Sequence, residues 1–251
     1  MKYSLTIGWL YPELMNIYGD IGNITTLIKR CEWRNINSEV KMLNPGFKSE
    51  ELVNCNLLIM GGAQDKQQTV VNKDLKRVKK ELCQMIEKGI PGLYVCGGFQ
   101  FLGKYYKEAD GTIIDGLGVL DLYTENSGEN IDRLIGNMVF MPEVKELNKP
   151  IVGFENHGGR TYLGRKIKPF GKVIKGFGNN GKDLTEGAIY KETFGTYSHG
   201  PILPKNPEFA DYLITKALEK KYNSRITLKS LDGSLEDNAR LVIAKSLDIE
   251  I

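Results

Sequence analysis

The chain has 251 residues, 41% of them hydrophobic and 26% charged, with a formal net charge of +3. This size and hydrophobic content suffice for one α/β domain with a continuous core, so we predict a single domain over residues 1–251. Basic and acidic residues are interleaved along most of the chain, which argues against nucleic acid as a partner. The densest basic stretch, Lys73–Lys80, has helical spacing and is typical of a solvated helix face.

The four cysteines, Cys31, Cys55, Cys83 and Cys96, form no CxxC pair and show no secretory spacing. We therefore predict free thiols, with neither a disulfide framework nor a metal site. The N-terminus has no signal cleavage pattern, and no stretch approaches the ~20 apolar residues of a membrane span. The protein is accordingly expected in a reducing cytoplasm.

The first part of the chain alternates strand and helix patterns. Strands are predicted at Tyr3–Trp9, Val40–Leu43 and Asn56–Met60, and a capped amphipathic helix is predicted to start at Asp20. The strand Asn56–Met60 is almost entirely apolar and ends at Gly61 and Gly62, as expected for a buried parallel strand that opens onto a loop.

A cysteine follows the next buried strand directly. The pattern predicts a helix over Lys73–Lys88, a short strand over Leu93–Val95, and a helix start in Phe99–Tyr106. Cys96 therefore lies between a strand and a helix, followed by two glycines.

The second half of the chain has a different character. From Asp115 to about Tyr197, short glycine-rich alternating segments predict antiparallel strands and hairpins added to the parallel core. Helices are predicted over Pro207–Tyr222 and Ser234–Ser246. The fold class is α/β.

Cys96 is the best candidate nucleophile. A residue on a sharp strand-to-helix turn exposes its side chain, and the flanking Gly97 and Gly98 relieve crowding there. A helix N-terminus also favours the thiolate, which is the nucleophilic form. Most free cysteines are small core residues, and we assign the other three to packing.

A cysteine nucleophile needs a base within hydrogen-bond reach, usually a histidine. The chain has only His157 and His199. His199 lies at the end of a predicted strand, whereas His157 lies in a turn after another strand. Taken alone, either histidine is by default a structural residue.

Several sequence segments resemble those of a known enzyme family. The segments YVCGGFQ (Tyr94–Gln100), LIMGGAQD (Leu58–Asp65) and GTYSHGP (Gly195–Pro201) are similar to class I glutamine amidotransferases of the branch related to cobyric acid synthases. LYPELMNIYGDIGN (Leu10–Asn23) and GFENHGGRTYL (Gly153–Leu163) resemble the small subunits of lipid II isoglutaminyl synthases. The resemblance implies the class I fold, a flavodoxin-like open sheet that is mostly parallel with antiparallel extensions.

The resemblance also implies roles for individual residues. Cys96 would attack the side-chain amide of glutamine, and His199 would carry the proton. The backbone N–H groups of Gly62 and Gly97 would hold the oxyanion. Arg133 would bind the α-carboxylate of glutamine, a task suited to a bidentate guanidinium; the alternative is a surface charge at a strand start. Gln100 is also assigned to the substrate site.

One position departs from the family pattern. Many class I amidotransferases have an acidic residue two positions after the histidine, and here that position is Pro201. The third member of a triad is therefore unidentified, with Glu155 and Glu192 as possible substitutes.

One glycine-rich segment partly matches the sequence motif of a phosphate-binding loop. Gly176–Lys182 (GFGNNGK) fits the start of that motif, but Asp183 stands where Ser or Thr is needed for magnesium, and a strand pattern follows instead of a helix. We interpret the segment as a hairpin loop.

The implied function is the glutaminase half of a two-subunit enzyme. No cofactor is expected in this chain. ATP and magnesium would lie on a Mur-ligase-like partner in a heterodimer, which would amidate the D-glutamate α-carboxyl of the lipid II stem peptide. The alternatives are ammonia supply to another carboxylate such as a corrinoid, a catalytically silent partner-binding module, and a cysteine hydrolase or peptidase. A weaker hypothesis places Asn156, His157 and Arg160 along the path or interface to the partner.

Overall fold

The computed structural model describes residues 2–63, 65–126, 128 and 132–250. Gln64 and Ile131, which belong to the LIMGGAQD motif and to the segment around Arg133, lie outside the described residues. The strands in chain order are β1 Tyr3–Leu10, β2 Ile36–Leu43, β3 Leu57–Met60, β4 Gly92–Val95, β5 Tyr105–Lys107, β6 Ile113–Asp115, β7 Leu122–Asn126, β8 Leu134–Pro142, β9 Ile151–His157, β10 Gly159–Leu163, β11 Gly171–Lys175, β12 Thr185–Glu186, β13 Ala188–Tyr190 and β14 Thr193–Thr196. The helices are α1 Ile21–Glu32, α2 Ser49–Val53, α3 Asp65–Arg77, α4 Lys79–Glu87, α5 Gly97–Leu102, α6 Ile202–Lys205, α7 Pro207–Tyr222 and α8 Ser234–Ser246, with a short 3₁₀ helix at Ile17–Gly19.

A six-stranded sheet forms the centre of the fold, in the order β13-β14-β4-β3-β1-β2. All neighbouring pairs in it are parallel except β13 with β14. Every residue of β3 and β4 is buried, as expected for parallel strands covered on both faces. The predicted α/β class with a mostly parallel sheet is confirmed.

The antiparallel strands predicted between Asp115 and Tyr197 are present, but most of them build two further sheets. One has the order β10-β7-β5-β6 and the other β12-β11-β8-β9. Among the described residues, β13 alone adds an antiparallel strand to the central sheet. These two sheets supply one wall of the cavity described below.

Helix boundaries differ from the sequence prediction at two places. The single helix predicted over Lys73–Lys88 is wrong: α3 and α4 are separated at Val78, whose φ of −106° and ψ of 12° are not helical. Val78 is fully buried at this break. The helix begun at Gly97 ends at Leu102, because the carbonyls of Phe101 and Leu102 accept backbone N–H groups from the 117–120 segment instead of from a next helical turn.

An aromatic cluster joins the central sheet to the helix α7. Phe194 on β14 is fully buried, and its ring centroid lies 5.1 Å from that of Phe170, 5.2 Å from that of Phe209 and 5.7 Å from that of Tyr212. Such edge-on arrangements are favoured between aromatic rings. This packing fixes the strand that leads to His199.

Replacing Phe194 with alanine should therefore lower the free energy of unfolding by about 3–5 kcal/mol, since a buried ring is lost and a cavity remains. Urea unfolding followed by circular dichroism measures this loss. Phe177→Ala is the matched control because that side chain is 42% exposed, and it should change the free energy by less than about 1 kcal/mol. Equal losses in the two variants would contradict the importance of this cluster.

Candidate active site

Cys96 occupies a strained turn between β4 and α5. Its φ of 50° and ψ of −106° are unusual for a residue with a side chain. Such conformations cost on the order of 1–3 kcal/mol and are maintained where the surrounding structure requires them. The side chain is 7% exposed and lines a cavity. The predicted strand, cysteine and helix order is confirmed.

His199 lies at the same edge of the sheet because β14 and β4 are parallel neighbours. Val95 pairs with Thr196, and the Cys96 N–H donates to the Thr196 carbonyl at 2.8 Å. Three residues beyond Thr196, the backbone of His199 exchanges hydrogen bonds with Phe154 at 2.6 and 3.2 Å. The structure therefore brings together the two residues that sequence analysis paired as nucleophile and base.

The charge of the imidazole is controlled by its two neighbours. Burial by itself lowers the pKa of His199, but the negative charges of the Cys96 thiolate and the Asp20 carboxylate outweigh it and raise that pKa to about 10. Nδ1 lies 3.8 Å from Asp20 Oδ1. The arrangement favours an imidazolium next to the sulfur of Cys96, where it can act on the nucleophile.

Asp20 is the residue of this site that sequence analysis missed. It is 1% exposed, and its Oδ2 accepts the Gly62 N–H at 2.8 Å. The sequence pattern indicated only a helix cap, so nothing local pointed to a contact with a histidine far along the chain.

The two glycines after β3 make room for these neighbours. A Cβ at Gly61 would lie 2.5 Å from Asp20 Oδ2, and a Cβ at Gly62 would lie 3.0 Å from His199 Cε1. Both distances are too short for carbon in ordinary van der Waals contact. Glycine is thus required here by close approach of the acid and the base.

The oxyanion role predicted for Gly62 needs correction. Its backbone N–H is already hydrogen-bonded to Asp20, so in this conformation it is not a free donor. Gly97 fits its predicted role better, because it opens α5 and the first N–H groups of a helix have no intrahelical partner.

Arg133 lines the same cavity as Cys96. Its Nε donates to Asn156 Oδ1 at 2.8 Å, and its Nη2 donates to the Asn156 carbonyl at 2.9 Å. A guanidinium has five N–H donors, so this anchoring leaves others for a ligand. The assignment of Arg133 to the α-carboxylate remains a prediction.

Gln100 and His157 belong to a buried polar wall of this cavity. The Gln100 Nε2 donates to the Tyr197 hydroxyl at 3.1 Å, and the His157 ring stacks on Tyr197 with centroids 3.6 Å apart. His157 is 1% exposed and burial lowers its pKa. This burial argues against His157 at the interface to a partner, whereas the alternative that Asn156 and His157 line a path from the cavity stays a prediction. Arg160 is also buried and bonds the carbonyls of Gly158 and Asp132.

Neither glutamate considered as a third triad member faces His199. The Glu155 carboxylate accepts the N–H groups of Phe177 and Gly178 at 2.6 and 2.9 Å. Glu192 precedes β14, at the end of that strand opposite His199, and accepts the Tyr212 hydroxyl at 2.8 Å. The prediction that Glu155 or Glu192 serves as the third member of the triad is therefore wrong.

The same contacts explain the glycine-rich segment Gly176–Lys182. It connects β11 and β12, which pair antiparallel, so the hairpin interpretation is confirmed. Two backbone N–H groups that a phosphate would need are directed at the Glu155 carboxylate.

The chain around His199 is held by another buried acid, Glu186. Its Oε1 accepts the Thr196 hydroxyl at 2.5 Å and the Tyr197 N–H at 2.9 Å. Burial, together with the charge of Glu155, raises the pKa of Glu186 to about 7 although these hydrogen bonds oppose the shift. Folding therefore favours its protonated form.

Glu186→Gln should flatten the pH dependence of stability. The pKa of Glu186 rises from 4.5 to about 7 on folding, so the folded state binds this proton more tightly than the unfolded state. The resulting contribution to the free energy of unfolding is fully present below pH 4.5 and is lost as the pH rises to about 7. Urea midpoints measured across the window should fall more steeply for the wild type than for the variant. Glu13→Gln, at an exposed position, is the control, and equal slopes in all three proteins would contradict the assignment.

Across the residues that the structure covers, no helix combines the length and apolar character needed to cross a membrane. Those residues also include no group of three or more His, Cys, Asp or Glu side chains placed to bind a metal ion.

Comparison with known proteins agrees with this geometry. A family model described as the CobB/CobQ-like glutamine amidotransferase domain matches residues 6–207. The chain is 43% identical over 243 residues to the lipid II isoglutaminyl synthase (glutamine-hydrolyzing) subunit GatD of Staphylococcus aureus, covering 96% of this chain and 95% of that protein. Identity to the protein of the same description from Streptococcus pneumoniae is 40% over 235 residues, covering 93% and 88%. A solved glutamine amidotransferase shares the fold, with 17% identity, a TM-score of 0.56 and coverage of 84% of this chain and 98% of that one.

Proposed function

The chain belongs to the CobB/CobQ-like glutamine amidotransferase family, and from this premise we propose that it hydrolyses L-glutamine with Cys96 as nucleophile and His199 as base. The observation that carries the proposal is the placement of both residues at the ends of the neighbouring parallel strands β4 and β14. The raised pKa of His199 supports it, because the imidazole responds directly to the charge of the thiolate.

The proposed reaction has two halves. The Cys96 thiolate attacks the side-chain carbonyl carbon of glutamine and forms a tetrahedral intermediate, which collapses to a thioester as His199 gives its proton to the departing ammonia. A water molecule, deprotonated by His199, then attacks the thioester. Glutamate leaves and the thiolate is restored.

Three other groups act on the substrate in this proposal. The Gly97 N–H stabilises the oxyanion, and one such donor is typically worth about 3 kcal/mol of barrier. Arg133 and Gln100 contact the substrate from the cavity wall, with the guanidinium paired to the α-carboxylate.

Ammonia produced here is proposed to serve a synthetase subunit. The two relatives quoted above are named as glutamine-hydrolysing subunits of lipid II isoglutaminyl synthase and align with this chain over nearly its whole length. We propose a heterodimer with a Mur-ligase-like partner, which holds ATP and magnesium and activates the α-carboxyl of D-glutamate in the lipid II stem peptide. A cytoplasmic location follows for such a complex.

Cys96→Ala should reduce glutamate release from glutamine by on the order of 10⁴-fold or more, because the nucleophile is lost. His199→Asn should cause a loss of similar size. The assay measures free glutamate with the chain alone and with its copurified partner. Cys83→Ala is the matched control, since this half-buried thiol lies on α4, outside the cavity that contains Cys96. Full activity of Cys96→Ala would refute Cys96 as the nucleophile, whereas no glutamate release by the wild type, alone or with its partner, would favour a silent binding module.

Arg133→Lys should raise KM for glutamine by about tenfold or more with a smaller change in kcat, because an ammonium cannot reproduce the bidentate pairing of a guanidinium. Steady-state glutaminase kinetics measure both constants. Arg165→Lys, at an exposed position, is the control. An unchanged KM would show that Arg133 does not bind the α-carboxylate.

The acceptor is tested separately. A tagged chain should copurify an ATP-dependent ligase, and the complex should amidate lipid II with glutamine as nitrogen donor. Amidation of a corrinoid carboxylate instead, with no reaction of lipid II, would replace this acceptor while leaving the glutaminase assignment intact.

A further inference from the structure

The geometry points to Asp20 as the acid that orients His199, in place of the acidic residue that Pro201 displaces from the usual position. This inference rests on the proposed glutaminase function and adds a positioning residue to it. Asp20 touches the base and not the substrate, and it acts through the imidazole.

The first argument is that Asp20 does not cap its own helix. An aspartate at the N-cap position ordinarily accepts an N–H from the first turn. Here Asp20 makes no side-chain cap bond, and the Ile21 N–H is taken by Asn16 Oδ1 at 2.8 Å. The carboxylate is instead turned toward the end of β3.

The second argument is the pairing of two buried polar atoms. Asp20 Oδ2 has its partner in the Gly62 N–H, but within the described part of the chain Asp20 Oδ1 and His199 Nδ1 have no hydrogen-bond partner. They lie 3.8 Å apart, in residues that are 1% and 0% exposed. Leaving a buried carboxylate oxygen and a buried ring nitrogen unpaired is costly, and each is the complement of the other.

The third argument concerns what the contact does to the ring. A carboxylate facing Nδ1 keeps a proton on that nitrogen, which leaves Nε2 to exchange a proton with the Cys96 thiol and the leaving ammonia. The groups facing the ring are the Asp20 carboxylate, the Cys96 thiol and the edge-on Tyr18 ring, whose centroid is 5.0 Å away. Of these groups the Asp20 carboxylate is the one that lies near Nδ1, so it can fix the tautomer.

The contact with Gly62 gives Asp20 a second effect. One carboxylate faces the base through Oδ1 at 3.8 Å and accepts the Gly62 N–H through Oδ2 at 2.8 Å, so it lies between the loop after β3 and the segment that carries His199. Gly61 and Gly62 have no side chains where these groups approach, which is the structural requirement for this double contact.

Asp20→Asn is the direct test because it keeps the shape of the side chain. The amide oxygen can still accept the Gly62 N–H, but the NH₂ group then faces Nδ1 and forces the ring proton onto Nε2. We expect kcat for glutamine hydrolysis to fall by about 10²–10⁴-fold with KM changed less than about threefold. The acidic limb of the pH–rate profile should also move, since loss of the carboxylate lowers the pKa of His199.

Asp74→Asn is the matched control. Its carboxylate likewise accepts a backbone N–H, from Gly46 at 3.1 Å, and a side-chain donor, the Tyr11 hydroxyl at 3.0 Å, but it lies outside the cavity that contains Cys96. This variant should keep kcat, KM and the pH profile of the wild type. A loss of kcat in both variants, without a shifted profile, would reduce Asp20 to a structural role and overturn the inference.

A second measurement covers the case in which Asp20→Asn does not fold. The chain has two histidines, so the imidazole resonances of His199 can be assigned in nitrogen-15 labelled protein with native Asp20. In Cys96→Ala, which lacks the thiolate charge, the neutral His199 ring should carry its proton on Nδ1. A proton on Nε2 instead would overturn the inference. Wild-type glutaminase activity combined with an unaffected Asp20→Asn variant would do the same, and the proposed function would stand.

Discussion

The parallel pairing of β14 with β4 is the contact on which the rest of the site depends. It joins a strand that ends at Cys96 to one that ends three residues before His199, although the two residues are far apart in sequence. Parallel neighbours end at the same edge of a sheet, so two side chains that follow them meet without any long connecting loop. The aromatic packing of Phe194 and the carboxylate of Glu186 both act on β14 and hold this edge in place.

Local features of the site could be read from the sequence. Cys96 was identified because a buried strand, a cysteine and two glycines are adjacent in the chain, and His199 because it ends a strand pattern. The helix Pro207–Tyr222 matches its prediction at both ends, since an N1 proline and a regular apolar face define it locally.

Features that depend on tertiary contacts could not be read in this way. Asp20 has the sequence signature of a cap, and only the folded chain turns its carboxylate to His199. The break at Val78 lies inside a pattern that is helical throughout, so the local sequence does not show it. Short antiparallel segments predict strands but do not say which sheet they join, because that choice is made by packing partners far away in the chain.

Three buried carboxylates in and around the site bind backbone groups of the protein itself. Glu155, Glu186 and Asp20 are each almost inaccessible to water, and each accepts at least one backbone N–H. Burying an acid is unfavourable unless such donors compensate for lost water. In return, Asp20 fixes the loop at Gly62, next to the cavity-lining Ala63, Glu186 fixes the backbone at Tyr197 ahead of His199, and Glu155 fixes the loop at Phe177 and Gly178.

The loop Gly176–Lys182 shows what this arrangement means for reading motifs. Its consecutive N–H groups form the concave backbone surface that proteins commonly use to capture anions, but Glu155 supplies the negative charge from within the same chain. A side chain of the same protein thus occupies the position that an external anion would take. A glycine-rich loop can therefore bind a carboxylate of its own chain as readily as the phosphate of a nucleotide, and the sequence of the loop alone does not distinguish the two.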